Sequence, residues 1–307
     1  MVRNGIGQEQ GAEQQQQRPD HSTEWHARLI HSYLLRYHPA AERLFHQRVS
    51  GCGVTMDFSG KTVIVTGAGS GIGRAAAVGF CADGARVVGI GRTRSDLEQT
   101  MAMCRPGAMS FVVGDVSRPD DVERLFVEAK AISGRVDVLV NNAALYPKQG
   151  FLEGSHEDWR RVIEVNVIGM ALCCRMALPD MLANGFGRIV NLGSFAWRGP
   201  IPNSSAYSVS KGAVGPLTKA LASEIDRSRF PDVLVNQLMP GIVRTRMSES
   251  GEDTAAIYPH LRFVAGLPRG GPTGQTFVQS ALYEENVGRR TRLKRWVKKA
   301  LGLSRSA

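Results

Sequence analysis

Residues 62–73 read TVIVTGAGSGIG, and the fold of the chain turns on them. The first five residues are mostly β-branched and favour an extended strand. A run with so little polar alternation suits a strand covered on both faces, as in a parallel sheet. Glycines 67, 69, 71 and 73 follow at once, and RAAAVGF (74–80) reads as the start of a helix. A dinucleotide-binding loop needs glycine for a tight turn, for close approach of backbone to pyrophosphate, and for packing of helix on strand. The helix N-terminus meets the phosphates with free N–H groups and the positive end of its dipole. The spacing is GxxxGxG, not GxGxxG, but it stands between strand and helix as that mechanism requires. Taken alone, such a stretch also reads as a glycine turn of purely structural use.

The same rhythm continues outward. Further strand candidates are RVVGI (86–90), SFVV (110–113), VDVLV (136–140), RIVNL (188–192), DVLVNQL (232–238) and QTFVQ (275–279). The amphipathic segments between them are long enough for crossover helices. Alternation of this kind predicts a doubly wound α/β fold with a parallel sheet, in one domain spanning 56–285. Residues 1–20 are polar and of low complexity, and cannot bury enough surface to fold alone. Residues 25–49 are amphipathic and Arg-rich until Pro39 breaks the pattern, so organelle targeting stays open. MDFSGKTVIVTG from Met56 reads as a domain's natural beginning, so 1–55 is expected to be either a dispensable extension or an upstream mis-called start.

The 307 residues carry a formal charge of +10, unevenly placed. Residues 286–307 hold eight Lys and Arg and no acid, whereas 56–285 hold 24 basic and 23 acidic residues. That balance argues against a nucleic-acid groove in the body of the protein. In the tail, Leu293, Trp296, Val297, Ala300 and Leu301 share one helical stripe with cations opposite. The pattern suits a membrane surface or an acidic partner, or a helix folded on its own domain. No window of 18 uninterrupted apolar residues and no secretory leader is apparent, and the expected location is cytoplasmic. The five cysteines have no metal-ligand spacing; Cys173 and Cys174 read as small buried hydrophobes, and no metal is expected.

The second strand candidate runs into GRTR (91–94). An NAD site places an acid there for the ribose hydroxyl, whereas an NADP site uses a cation for the 2′-phosphate. Gly91 stands where the acid would be, and Arg92 and Arg94 follow, which favours NADP(H) over NAD(H). A solvated surface arginine is the plainer alternative.

With TGAGSGIG (66–73), GDV (114–116), NNAA (141–144), Asn166 in VIEVNVIG, Ser194 in VNLGS, YSVSK (207–211) and PGIVRT (240–245), the chain resembles the short-chain dehydrogenase/reductase family. The resemblance runs from 57 to about 280 and is to the compact branch. It implies a Rossmann fold and catalysis by Asn166, Ser194, Tyr207 and Lys211. It implies cofactor contacts from Gly67, Ser70, Gly71, Ile72 and Gly73. Asp115 and Val116 would hold the adenine, Asn142 and Ala143 would support the cofactor, and Pro240, Gly241 and Thr245 would flank the nicotinamide. Lys211 would hydrogen-bond the nicotinamide ribose, and Asn166 would position a water linking Lys211 to solvent. A homodimer or homotetramer through 156–182 and 206–225 is also implied. Ala144, where glycine is commoner, departs from the pattern.

The chemistry fits those residue types. Hydride delivered to a carbonyl carbon leaves negative charge on oxygen, which must be protonated. Phenol titrates near 10, and a cation a few ångströms away brings it toward neutrality. Lys211 at i+4 from Tyr207 shares one helix face with it. Ser194 ends a strand at the carboxyl edge of the sheet, where it can donate to a developing oxyanion. Tyr146, Pro147, Met239, Met247 and FAWRG (195–199) are expected to line an apolar pocket for a lipophilic ketone or secondary alcohol. His156 and His260 lie outside the motifs. An NAD-linked alcohol dehydrogenase, and a non-catalytic dinucleotide sensor or scaffold, remain the alternatives.

Overall fold

The computed structural model describes residues 56–283 except 201 and 249–250. The extension 1–55, and the tail 286–307 with its basic stripe, lie outside the described residues.

Seven parallel strands carry the fold, and each follows its sequence signal. They are β1 (Thr62–Thr66), β2 (Arg86–Gly91), β3 (Met109–Val113), β4 (Val138–Asn141), β5 (Gly187–Leu192), β6 (Val233–Met239) and β7 (Thr276–Val278). The short β8 (Ala281–Leu282) pairs antiparallel with β7 and is the last strand among the described residues. The sheet order is β3-β2-β1-β4-β5-β6-β7-β8, so direction of winding reverses between β1 and β4. Ligands of open α/β sheets bind at that switch point, beyond the strands' carboxyl ends.

Alternation along β1 explains its nearly unbroken apolar run. Val63 and Val65 point to one face, with Phe80 of α1 (Gly71–Ala82), Leu97 of α2 (Arg94–Ala102) and Leu261 of α7 (Tyr258–Ala265). Ile64 points to the other, with Leu125 of α3 (Pro119–Ser133), Cys173 of α5 (Met170–Ala183) and Val214 of α6 (Ser205–Glu224). Each such Val, Leu or Ile buried contributes about 1.5–3 kcal/mol. Cys173 and Cys174 are buried thiols as expected, and burial pushes Cys174 up to about 12.

Helix α4 (His156–Ile163) opens on a capping box between Ser155 and Asp158, which gives His156 a helix-start position. It continues through a π-helical turn, Glu164–Gly169, into α5. The segment His156–Ala183 contains an 18-residue window apolar enough by composition to cross a membrane, and 44% of that window is buried in the fold. Its Val162, Cys173, Cys174, Ala177 and Met181 are buried, and Ile168 is 54% exposed. His260 on α7 shares a hydrogen bond with Ser280 at 2.7 Å, away from the motifs.

Candidate dinucleotide and catalytic site

Beyond the carboxyl ends of the strands lies a cavity of about 1100 Å³. Its floor is the loop after β1. Gly67 has φ +67, and a Cβ there would stand 2.8 Å from Asn142 Nδ2. A Cβ on Gly73 would stand 2.1 Å from the Gly67 carbonyl oxygen. Only glycine lets the first turn of α1 seat this low. Thr66, which the sequence reading leaves unassigned, organises the loop: its Oγ1 accepts the Asn142 and Ala143 N–H groups, both at 2.9 Å. Asn142 Nδ2 returns a bond to the Thr66 carbonyl at 2.9 Å. The signal was present in the sequence as a threonine at the strand end.

Ser70 precedes α1 in extended conformation and its side chain makes no capping bond; no acid stands in the first turn. The first N–H groups of α1 therefore face the cavity without an internal acceptor, as a pyrophosphate requires. Ser70, Gly71, Ile72 and Thr245 line this region together. A nicotinamide dinucleotide fits the cradle on these grounds.

Of the remaining cofactor candidates, Arg92, Asp115, Val116, Asn142, Ala143, Pro240 and Gly241 all line the cavity, as does Ala144. Arg92 also borders a side pocket of about 310 Å³ with Arg118, Asp115 and Arg161. The Asp115 carboxylate is engaged: it accepts from Ser117 N at 3.0 Å and Oγ at 2.7 Å and pairs with Arg161. Burial opposes ionisation of Asp115, but these bonds together hold its carboxyl below the usual range.

Ser194, Tyr207 and Lys211 line the opposite end of the cavity. Ser194 follows β5, and its Oγ accepts the Ala196 N–H at 3.1 Å. Tyr207 lies in the first turn of α6, with its ring stacked on Tyr146 at 4.6 Å between centroids and 30° between planes. Lys211 is 3% exposed and its Nζ donates to the Leu192 carbonyl at 2.8 Å.

One expectation needs correcting. The phenol is not brought toward neutrality in this state. Burial pushes Tyr207 up, a hydrogen bond with Ser194 pulls it back, and Tyr146 pushes it up further. The Lys211 ammonium does not offset this, because it is turned to Leu192 and stands 5.7 Å from the Tyr207 ring centroid. Burial also lowers Lys211 itself, to about 8. The Asn166 amide is engaged within the protein. Its Oδ1 accepts the Leu145 N–H at 2.7 Å, and its Nδ2 donates to the Leu145 carbonyl and to Ser210 Oγ, both at 2.9 Å. It sits in the π-helical turn and fastens the loop after β4 to α6.

The apolar wall is smaller than the sequence reading drew it. Tyr146, Phe195, Ala196, Gly199 and Met247 line the cavity. Pro147, Trp197 and Arg198 are not among its lining residues. Trp197 packs toward α6, its Cβ 3.5 Å from where a side chain on Gly212 would begin. Met239 is core, packed with Val278 and Tyr283.

A glycine-rich phosphate cradle at the switch point, with a serine, a tyrosine and a lysine across the same cavity, defines a dinucleotide-dependent oxidoreductase. A model of the short chain dehydrogenase family matches residues 61–256, and the chain belongs to that family. It is 37% identical over 193 residues to meso-2,3-butanediol dehydrogenase of Serratia marcescens, covering 63% of this chain and 75% of that protein. It is 39% identical over 196 residues to 3beta-hydroxysteroid dehydrogenase 1 of Eggerthella lenta, covering 62% of this chain and 73% of the relative. Among solved structures, 3-ketoacyl-(acyl-carrier-protein) reductase from Brucella melitensis, complexed with NADH, superposes with a TM-score of 0.67 at 28% identity. That match covers 72% of this chain and 97% of the other.

Proposed function

We propose that the protein is an NADP(H)-dependent oxidoreductase acting on a carbonyl/secondary alcohol pair, with Tyr207 as general acid/base. The observation that carries the reading is the placement of Ser194, Tyr207 and Lys211 in one cavity with the glycine cradle and the 240–245 loop. The nicotinamide supplies or accepts the hydride when bound. The α1 N-terminus and Ser70 hold the phosphates, Arg92 meets the 2′-phosphate, Thr245 faces Gly71 beside the pyrophosphate on its nicotinamide side, and Pro240 and Gly241 flank the nicotinamide. Ser194 donates to the substrate oxygen as negative charge develops, and Tyr207 delivers the proton to that oxygen. Lys211 supplies positive charge beside the ribose, and Asn166 keeps Leu145 in place. The wall of Leu145, Tyr146, Phe195 and Met247 favours a lipophilic substrate. A homo-oligomer through the α4–α5 segment and α6 is part of the reading, since Ile168 and Val209 stand more than half exposed there.

NADH in the Brucella melitensis reductase favours an NAD(H)-linked enzyme as second reading. The test is spectrophotometric: ketones and alcohols assayed with each nicotinamide, for the wild type and Arg92→Asp. Weaker NADPH use by the variant, with NADH use kept, is expected; unchanged NADPH affinity removes Arg92 from the cofactor assignment.

The raised phenol gives a pH expectation. A group whose acid form is favoured stays protonated through neutrality, so Tyr207 is ready to donate in carbonyl reduction. Alcohol oxidation needs the phenolate. Reduction should therefore hold through neutral pH and fall only in alkali, while oxidation climbs with pH. Initial rates in both directions from pH 6 to 10 check this; an oxidation rate flat with pH contradicts it.

A further inference from the structure

Among the described residues two carboxylates line the cofactor cavity, Asp96 and Asp115, and each is held by an arginine. The Asp96 pair is built across the chain. Asp96 stands in the first turn of α2, four residues after Arg92, and Arg246 follows Thr245 on the loop after β6. Arg246 Nη1 donates to Asp96 Oδ2 and Nη2 to Oδ1, both at 2.8 Å, in a bidentate fork. The Asp96 side chain is 14% exposed and that of Arg246 is 69% exposed.

The carboxylate is fixed in place from behind. Arg74 of α1 donates to the Gly69 carbonyl at 2.5 Å, to the Asp96 carbonyl at 3.3 Å and to Gln99 Oε1 at 3.2 Å. This ties the start of α2 to the glycine loop. A Cβ on Gly69 would stand 2.9 Å from Asp96 Cβ. Asp96 thus occupies the same end of the cavity as Ser70, Arg92 and Thr93, the end assigned above to the adenosine ribose. The sequence, read along β2 and its exit, gives no carboxylate there; the fold supplies one from the next helix.

A 2′-phosphate brings about two negative charges to this end at neutral pH. An uncompensated carboxylate nearby repels it and leaves a ribose hydroxyl unaffected. We propose that Arg246 is a specificity-determining residue: by holding the Asp96 carboxylate it keeps the adenosine end of the cavity receptive to a phosphorylated ribose. The inference rests on the NADP(H) reading. In the wild type the carboxyl is ionised at neutral pH, since Arg246 first, and Arg74 after it, hold Asp96 below its usual range. Arg246 reaches the site from the loop that also carries Thr245, so the choice of cofactor is set by two loops far apart in sequence.

The test is binding, read by the fluorescence of NADPH and of NADH on titration into wild type, Arg246→Ala, Asp96→Asn and the double variant. Arg246→Ala should weaken NADPH by about fivefold or more and NADH by less than about twofold. The double variant should bring the NADPH:NADH ratio back to within about twofold of wild type. The difference should shrink in high salt, since the pair is exposed on one side. Equal weakening of both cofactors, the result expected if Arg246 contacted only the pyrophosphate, overturns the proposal, as does a failure of Asp96→Asn to rescue. The two readings fail separately. Tighter NADH than NADPH binding by the wild type defeats the NADP(H) assignment. A ratio that shifts on Arg246→Ala and returns with Asp96→Asn still upholds the pair as its determinant.

Discussion

Tyr207→Phe is expected to lower kcat for carbonyl reduction by about 10²–10⁴-fold, with nicotinamide binding within about twofold of wild type. The substitution removes one oxygen and little else. The ring keeps its stacking on Tyr146, and Ser194 keeps its bond from Ala196, so neither the cavity wall nor the end of β5 loses a packing partner. What goes is the proposed proton donor. In the described state that phenol is held above its ordinary range, chiefly by burial, so it carries its proton at neutral pH. Ser194 has no comparable acidity, and water admitted to the gap would be a poorly placed substitute. Single-turnover rates with saturating cofactor separate the chemical step from binding. A variant that retains a tenth or more of wild-type turnover would show that another group carries the proton.

How much of this was legible beforehand varies with the range of the interactions. The strands were readable because β-branched runs covered on both faces leave a nearly continuous apolar signal, as in TVIVT, whose bounds match β1. VDVLV, expected at 136–140, forms strand only over Val138–Asn141. Asp137 explains the shift: its carboxylate accepts the Thr62 N–H at 2.9 Å and pairs with Arg135 and Lys61, which closes the strand's start with a side chain. β8 gave no signal, being two residues long after a turn at Gln279, which adopts φ +55 without glycine. The approach to α7 is a 3-10 turn at Thr254–Ile257, which the strand-and-helix pattern of the sequence does not mark.

For the site, spacing located the residues but not their partners. YSVSK placed Tyr207 and Lys211 on one face of α6, and the fold confirms that they share the cavity. It could not reveal that the Leu192 carbonyl, from a different element, would claim the ammonium. Likewise, Asn166 was visible as a candidate, but its grip on Leu145 depends on how the loop after β4 comes back over the π-helical turn. Asp96 and Arg246 are 150 positions apart, and no local pattern joins them. Met239 read as pocket because it ends β6 next to PGIVRT; strand alternation instead turns it into the core under β7.

Lys211→Met should separate activity from stability. kcat is expected to fall by about a hundredfold or more, because the proposed reading gives this cation to the nicotinamide ribose. Stability at pH 7 should hardly fall. The wild-type ammonium is buried, with the Leu192 carbonyl as its recorded acceptor, and burial lowers it from 10.5 to about 8. A depression of that size costs the folded state about 3 kcal/mol wherever both states are protonated. Methionine of similar length removes that cost but leaves the Leu192 carbonyl without its donor, a loss of about 1–3 kcal/mol. The sign with pH follows from proton counts. Below about 8 the folded and unfolded chains both hold the proton, and the burial cost is present in full. Between about 8 and 10.5 the folded lysine has shed its proton while the unfolded one keeps it, so wild-type stability rises with pH through that window. The Met variant lacks this contribution. Urea denaturation of both at pH 7 and pH 10 should therefore show wild type gaining on the variant, by up to about 3 kcal/mol. A stability difference that stays constant with pH would mean that Lys211 is solvated in solution and that its charge is not held in reserve for the cofactor.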